Sequence, residues 1–166
     1  MIRAAHKAAF FIKNVIKIKF IIMINPENKI ERAIEIALQS HSGQTDKAGA
    51  PYILHCLRVM IKGKNENEQI VGVLHDTIED TEITAEYLSD NGFQQEIVSA
   101  VQCLTKIKNE TEEDYIRKVQ SNELAKKVKL NDLEDNMNIL RLNKITEKDI
   151  LRLNKYINMY KILSEK

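Results

Sequence analysis

With 166 residues, 43% of them hydrophobic and 30% charged, the chain is long enough for one domain whose core needs no staples. A net charge of +1 and the absence of Trp argue against a nucleic-acid binder, which would show a basic stripe and stacking aromatics. Two Pro and five Gly are too few for a turn-rich β fold, and Cys56 and Cys103, with no CxxC pair or disulfide framework, read as free thiols of a cytoplasmic protein.

Charge is uneven along the chain. Residues 1–22, "MIRAAHKAAFFIKNVIKIKFII", carry Arg3, Lys7, Lys13, Lys17 and Lys19 and no acid, which leaves the remainder mildly acidic. Lys13, Lys17 and Lys19 interrupt the apolar run before it reaches the ~20 residues of a membrane helix, so no integral span is expected. No small-residue cleavage site follows. We read this segment as an extension upstream of a natural start at Met23, with an interfacial amphipathic segment as the alternative. The folded domain is then 23–166.

From Met23 onward the pattern is helical. Asn25-Pro26 reads as an N-cap followed by Pro at the first helical position. Ile30, Ala33, Ile34, Ala37, Leu38 and His41 recur at helical spacing, and Gly43 ends the helix. After the loop "SGQTDKAGA", Pro51 opens a second helix, "YILHCLRVMI", which ends near Gly63. "NEQIVGVLHDTIE" is the third. On it His75 and Glu79, four apart, share a face, as do Asp76 and Asp80.

Thr84 caps a short helix, "TAEYLSD", closed at Asn91-Gly92. "QQEIVSAVQCLT" and "TEEDYIRKVQ" follow, the latter with acids in its first turn, where the helix dipole favours them. "NELAKKVKLNDLEDNMNILRL" reads as one long amphipathic helix. "TEKDILRLNKYINMYKILSEK" begins with a T-x-x-D capping pattern. Only "VIKIKFII" in the extension alternates like a strand. The fold class is therefore all-α, a single helical bundle. The Ile and Met residues of "INMYKIL" suit a homodimer interface as well as core packing.

Several ionisable residues sit where apolar ones would be cheaper. "VGVLHDTIED" is an apolar run that ends in His75, Asp76, Glu79 and Asp80. His55 lies among Ile53, Leu54, Leu57 and Val59. Asp132 lies on a helix whose Val128, Leu130, Leu133, Met137 and Leu140 point it inward. Singly, each has an ordinary explanation: a hydrogen-bonded core histidine, a solvated turn, a carboxylate paired with Lys129. Together they form a mixed N/O donor set suited to Mn²⁺, Fe²⁺ or Mg²⁺ rather than to a thiolate-seeking metal.

Three blocks, "HSGQTDKAGAPYILH", "VLHDTIEDT" and "VKLNDLEDNMN", together resemble the HD-domain metal-dependent phosphohydrolases. Specifically, they resemble the hydrolase domain of the RelA/SpoT alarmone enzymes and their small stand-alone relatives. The resemblance covers residues 30–142. It implies metal ligands at His55, His75, Asp76 and Asp132, with Mn²⁺ as the usual ion. It also implies that Glu79 and Asp80 position and activate the attacking water, and that Lys47, Tyr52 and Asn136 face a nucleotide. The implied reaction removes the 3′-pyrophosphate of guanosine tetra- or pentaphosphate, and no synthetase activity is expected.

The chain departs from that pattern at Asp46, Cys56, Leu133 and Asp135. An acid at position 46 is expected to repel phosphate, and replacing Asp46 by Arg and Asp135 by His is expected to raise alarmone turnover. Two alternatives follow: hydrolysis of a nucleoside monophosphate or of the 2′-phosphate of NADPH, or a catalytically silent alarmone-binding module.

Overall fold

The computed structural model describes residues 28–165, so the basic extension and the Asn25-Pro26 pair lie outside the described residues. Helix α1, Lys29–Ser40, starts behind Asn28, whose Oδ1 accepts from the Ile30 and Glu31 amides at 3.1 and 3.2 Å. Then come α2 (Ile53–Ile61), α3 (Glu66–Leu74), α4 (Thr77–Asp80), α5 (Ala85–Asp90) and α6 (Gln95–Leu104). They are followed by α7 (Glu112–Gln120), α8 (Glu123–Asn136), a 3₁₀ turn (Ile139–Arg141) and α9 (Glu147–Ser164). The expected all-α class holds: among the described residues the β pairing is one isolated bridge between Thr45 and Pro51. No helix among them is long and apolar enough to cross a membrane.

Several sequence signals act as expected. Thr84 Oγ1 accepts from the Tyr87 amide at 3.2 Å and starts α5. Thr146 and Asp149 form both halves of the capping box that opens α9.

Two expected helices are shorter than the periodicity implies. The third stops at Leu74 because side chains take carbonyls that the helix needs. His75 Nδ1 bonds Gly72 O at 2.8 Å, and Thr77 Oγ1 donates to Leu74 O at 2.7 Å. Glu79 and Asp80 therefore belong to a separate turn of helix that Asp76 opens, and the Asp80 amide donates to the Asp76 carbonyl at 2.9 Å, so Asp76 and Asp80 remain one turn apart. Likewise α8 ends at Asn136, and Asn138 Oδ1 accepts from the Leu140 amide at 3.3 Å to start the 3₁₀ turn.

Two apolar clusters hold the bundle. The larger gathers α1, α2, α3, α5 and α6 around Ala37, Val59, Val71, Leu74, Leu88 and Val101, with Ala125 and Val128 of α8 closing it. The smaller joins α7, α8 and α9 through Tyr115, Val119, Leu133, Met159 and Leu163. Helix α8 thus belongs to both.

Inside the larger cluster α2 and α3 cross at Gly72. A Cβ there would sit 3.0 Å from Met60 Cα and 3.1 Å from Met60 N, so any larger residue would push the two backbones apart by a few tenths of an ångström. That crossing brings His55 of α2 toward His75 at the end of α3.

Candidate metal centre

The loop between α1 and α2 forms one rim of the site. Asp46 Oδ1 accepts from the Ala48 and Ala50 amides at 2.9 and 3.0 Å, and Gly49 supplies the positive φ, 82°, that the turn requires. This loop then delivers Tyr52 and His55 at the start of α2.

His55 and His75 are 3% and 1% exposed, with ring centroids 5.2 Å apart. Each uses Nδ1 on a group that only accepts: the Asp135 carboxylate at 2.7 Å for His55, the Gly72 carbonyl at 2.8 Å for His75. A neutral ring so held carries its proton on Nδ1 and turns the Nε2 lone pair inward.

Both Nε2 atoms are buried without a hydrogen-bond partner. They converge on the same carboxylates. Asp76 Oδ2 lies 2.9 Å from His75 Nε2 and 3.9 Å from His55 Nε2. Asp132 Oδ1 lies 3.2 Å from His55 Nε2 and 3.6 Å from His75 Nε2.

An orphaned buried acceptor costs about 1–3 kcal/mol, and two such atoms facing carboxylate oxygens call for a positive charge between them. A divalent cation between them would supply that charge. His55, His75 and Asp76 present donor atoms within 4.8 Å of one another, a spacing that one ion can span.

The field at the site favours cations. Burial alone would lower the His75 pKa, but the Asp76 and Asp132 carboxylates outweigh it and hold it well above its ordinary value. Burial disfavours an ionised Asp132 as well, yet Lys129, 2.8 Å from its Oδ2, and the two imidazoles keep it well below the carboxylate range. Burial pushes the Cys56 thiol up to about 12, as expected of a structural core cysteine.

Around these groups lies a cavity of about 510 Å³. Glu79 and Asp80 are among the residues that line it. The Glu79 carboxylate accepts the Lys106 amide at 2.7 Å, and burial raises its pKa above the ordinary Glu value. Burial raises that of Asp80 too, with the nearby Asp76 charge adding to it.

Lys47 reaches into the cavity, its Nζ 6.0 Å from the Tyr156 ring centre. Tyr52 and Asn136 also line it, but their polar groups are turned to the carboxylates. The Tyr52 hydroxyl donates to Asp76 Oδ2, and Asn136 Nδ2 donates to Asp132 Oδ1 at 2.5 Å.

Asp46 lines the cavity, but its charge is paired. Its Oδ2 accepts from Arg141 Nη1 at 2.6 Å while its Oδ1 caps the loop. Asp135 is equally committed, to His55 and to Arg58, whose Nε and Nη2 donate at 2.7 and 3.1 Å. Replacing either acid would break these pairs, which removes the basis for expecting a gain of turnover.

Sequence reasoning missed the basic and aromatic wall opposite: Lys106, Tyr115, Lys129, Arg152, Lys155 and Tyr156. On α9 the last three recur at helical spacing, a signal that was available. What the sequence lacked was the packing of α9 against α8, which turns that face inward.

No family model matches the chain. It is 35% identical over 124 residues to the guanosine-3′,5′-bis(diphosphate) 3′-pyrophosphohydrolase of Aquifex aeolicus (strain VF5), a match spanning 68% of this chain and 18% of the relative. It is 39% identical over 82 residues to the protein of the same name from Borreliella burgdorferi, covering 47% of this chain and 12% of that one. The chain thus spans less than a fifth of these curated relatives, 18% and 12%. Among solved structures, a metazoan ortholog of SpoT, described as hydrolysing ppGpp, superposes with a TM-score of 0.68. The match is at 22% identity and covers 85% of this chain and 88% of that one.

Proposed function

We propose, from the premise that the chain is an HD-domain protein of RelA/SpoT type, that it is a metal-dependent hydrolase of a nucleotide pyrophosphate. The first candidate substrate is guanosine 3′,5′-bispyrophosphate, cleaved at its 3′-pyrophosphate, with the catalytic unit in residues 23–166. The observation that carries this reading is the convergence of His55 Nε2, His75 Nε2, Asp76 Oδ2 and Asp132 Oδ1 in a cavity with basic walls. The pairing of Asp46 with Arg141 supports keeping the alarmone ahead of NADPH or a nucleoside monophosphate.

His55, His75, Asp76 and Asp132 would hold the ion, Mn²⁺ in first place with Fe²⁺ or Mg²⁺ as substitutes. Such an ion, when bound, supplies Lewis-acid charge that polarises a phosphoryl oxygen and makes a nearby water more acidic. Glu79, anchored at one oxygen by the Lys106 amide, uses the other to take the water proton. Asp80 orients that water. The water oxygen bonds to the 3′-linked phosphorus as the bond from that phosphorus to the 3′-oxygen breaks. The nucleotide leaves with its 3′-oxygen taking up a proton to become the hydroxyl, and pyrophosphate is the other product.

Lys47, Lys106 and Arg152 offset phosphate charge. Asn136 keeps its carbonyl oxygen for the nucleotide, and Tyr52 serves through its ring while its hydroxyl steadies Asp76. The free thiols Cys56 and Cys103 support a cytoplasmic setting, and exposed Leu151 and Ile157 of α9 support a homodimer.

The test is to incubate the purified chain with Mn²⁺ and a panel of phosphorylated nucleotides, and to follow release of phosphate and pyrophosphate. Pyrophosphate from guanosine tetraphosphate is expected. It should vanish in His75→Ala and fall by about 10²–10⁴ in Glu79→Gln with Mn²⁺ still bound. Phosphate released from a different nucleotide would move the substrate. Mn²⁺ binding without any turnover would mean that the substrate lies outside the panel, and a chain that binds no Mn²⁺ would favour the silent alarmone-binding module.

A further inference from the structure

Asp135 stands at a position where the sequence suggested only a departure. It touches no part of the cavity directly. Its Oδ2 lies 2.7 Å from His55 Nδ1, and its Oδ1 accepts from Arg58 Nε at 2.7 Å, in a side chain that is 3% exposed. Arg141 approaches from the other side, with Nη2 donating to the Asp135 backbone carbonyl at 3.0 Å and lying 3.5 Å from Oδ2.

The two imidazoles of the site are thus anchored by different means. His75 is held by a backbone carbonyl of its own helix. His55 depends on a side chain 80 residues away in sequence.

We infer that Asp135 is a positioning residue for His55, held in register by Arg58 and Arg141, and that it keeps the His55 Nε2 lone pair aimed at the metal. The inference rests on the metal-centre reading above and adds a residue to it. The chemistry is that of a carboxylate hydrogen-bonded to the far nitrogen of a ligand imidazole. An ionised carboxylate only accepts, so it fixes the Nδ1–H tautomer, restrains ring rotation and raises the basicity of Nε2. Arg58 makes two of its hydrogen bonds to this one carboxylate, a bidentate geometry that fixes its orientation as well as its charge. Arg141 ties the same group to the Asp46 loop, which carries the chain into Tyr52 and His55.

The test measures Mn²⁺ affinity by electron paramagnetic resonance on the wild-type chain, Asp135→Asn and Arg58→Met, with thermal unfolding recorded on each metal-free protein. Asp135→Asn should weaken Mn²⁺ binding by about 10–100-fold, and Arg58→Met by less, because the bond to His55 survives it. A purely structural ion pair predicts the reverse pattern: both variants destabilised alike, with Mn²⁺ affinity unchanged. Unchanged affinity in Asp135→Asn overturns the inference and leaves the metal centre standing. A wild-type chain that binds no Mn²⁺, Fe²⁺ or Mg²⁺ overturns the metal centre itself and this inference with it. Where Asp135→Asn alone does not fold, Arg58→Met/Asp135→Asn, which removes the stranded cation as well, is compared with Arg58→Met on the same scale.

Discussion

The cavity has two walls, and they are mounted on unequal cores. Beneath the histidine wall, Ala33, Ala37, Val59, Val71, Leu74 and Val101 are fully enclosed, and α2 and α3 meet so closely that a side chain at Gly72 would press on the Met60 backbone. Beneath the opposite wall, α7, α8 and α9 share a short list of buried residues. Around it Leu140 is 92% exposed and Leu151 66%. Close packing resists displacement, because a shift of even one methylene group is felt. Three of the four converging groups, His55, His75 and Asp76, therefore sit on the rigid side, and Asp132 sits on α8, which both cores share. Groups that only need to meet a charged substrate, Arg152 and Lys155 among them, sit on the thinner one. On the function proposed above, chemistry and recognition would then be structurally separable in this chain.

The strongest way to break that separation is to remove a carboxylate shared by both histidines. Asp132→Ala deletes the oxygen near both Nε2 atoms and strands Lys129. It should abolish Mn²⁺ binding and all turnover, whatever the substrate. Calorimetry with Mn²⁺ checks this, and retained binding would place the ion elsewhere.

A smaller blow tests the packing itself. Gly72→Ala forces a Cβ against the Met60 backbone. It should cost about 1–3 kcal/mol of stability by overpacking. As His55 and His75 part, turnover should drop by up to about 10², the usual penalty for a shift near 1 Å. A variant with an unchanged denaturation midpoint would show that the crossing is looser than its geometry implies.

The mildest perturbation belongs to the other wall. Arg152→Ala should leave Mn²⁺ affinity and unfolding nearly unchanged and raise KM by about 10–100-fold, from the ~1.5–3 kcal/mol of a lost charged hydrogen bond. A fall in kcat with KM constant would mean that this wall takes part in the chemistry after all.

What the sequence made legible was local. Thr84 and Thr146 announced the helices they cap, and the apolar surroundings of His55, His75 and Asp132 marked them as residues with a purpose. What it hid was either a competition or a distance. The helix break after Leu74 depends on His75 and Thr77 taking backbone carbonyls, which periodicity does not register. The pairing of Asp135 with His55 spans 80 residues and that of Asp46 with Arg141 spans 95. Read alone, Asp46 and Asp135 look like acids misplaced in a phosphate site. Their neutralising partners are visible only once α2, α8 and the 3₁₀ turn are assembled.

The linked charges of Asp46, Arg141, Asp135 and Arg58 also constrain how this chain can vary. Changing any one member strands its neighbour, an acid without its guanidinium or the reverse, so a lone substitution is a step downhill. Exchanging two opposite members together keeps the ring neutral. In sequence space the four positions form a single locus, crossed more readily by paired moves than by solitary ones. A library that randomises them one at a time should return weakened variants, whereas one that randomises them jointly should recover alternative solutions at parental stability.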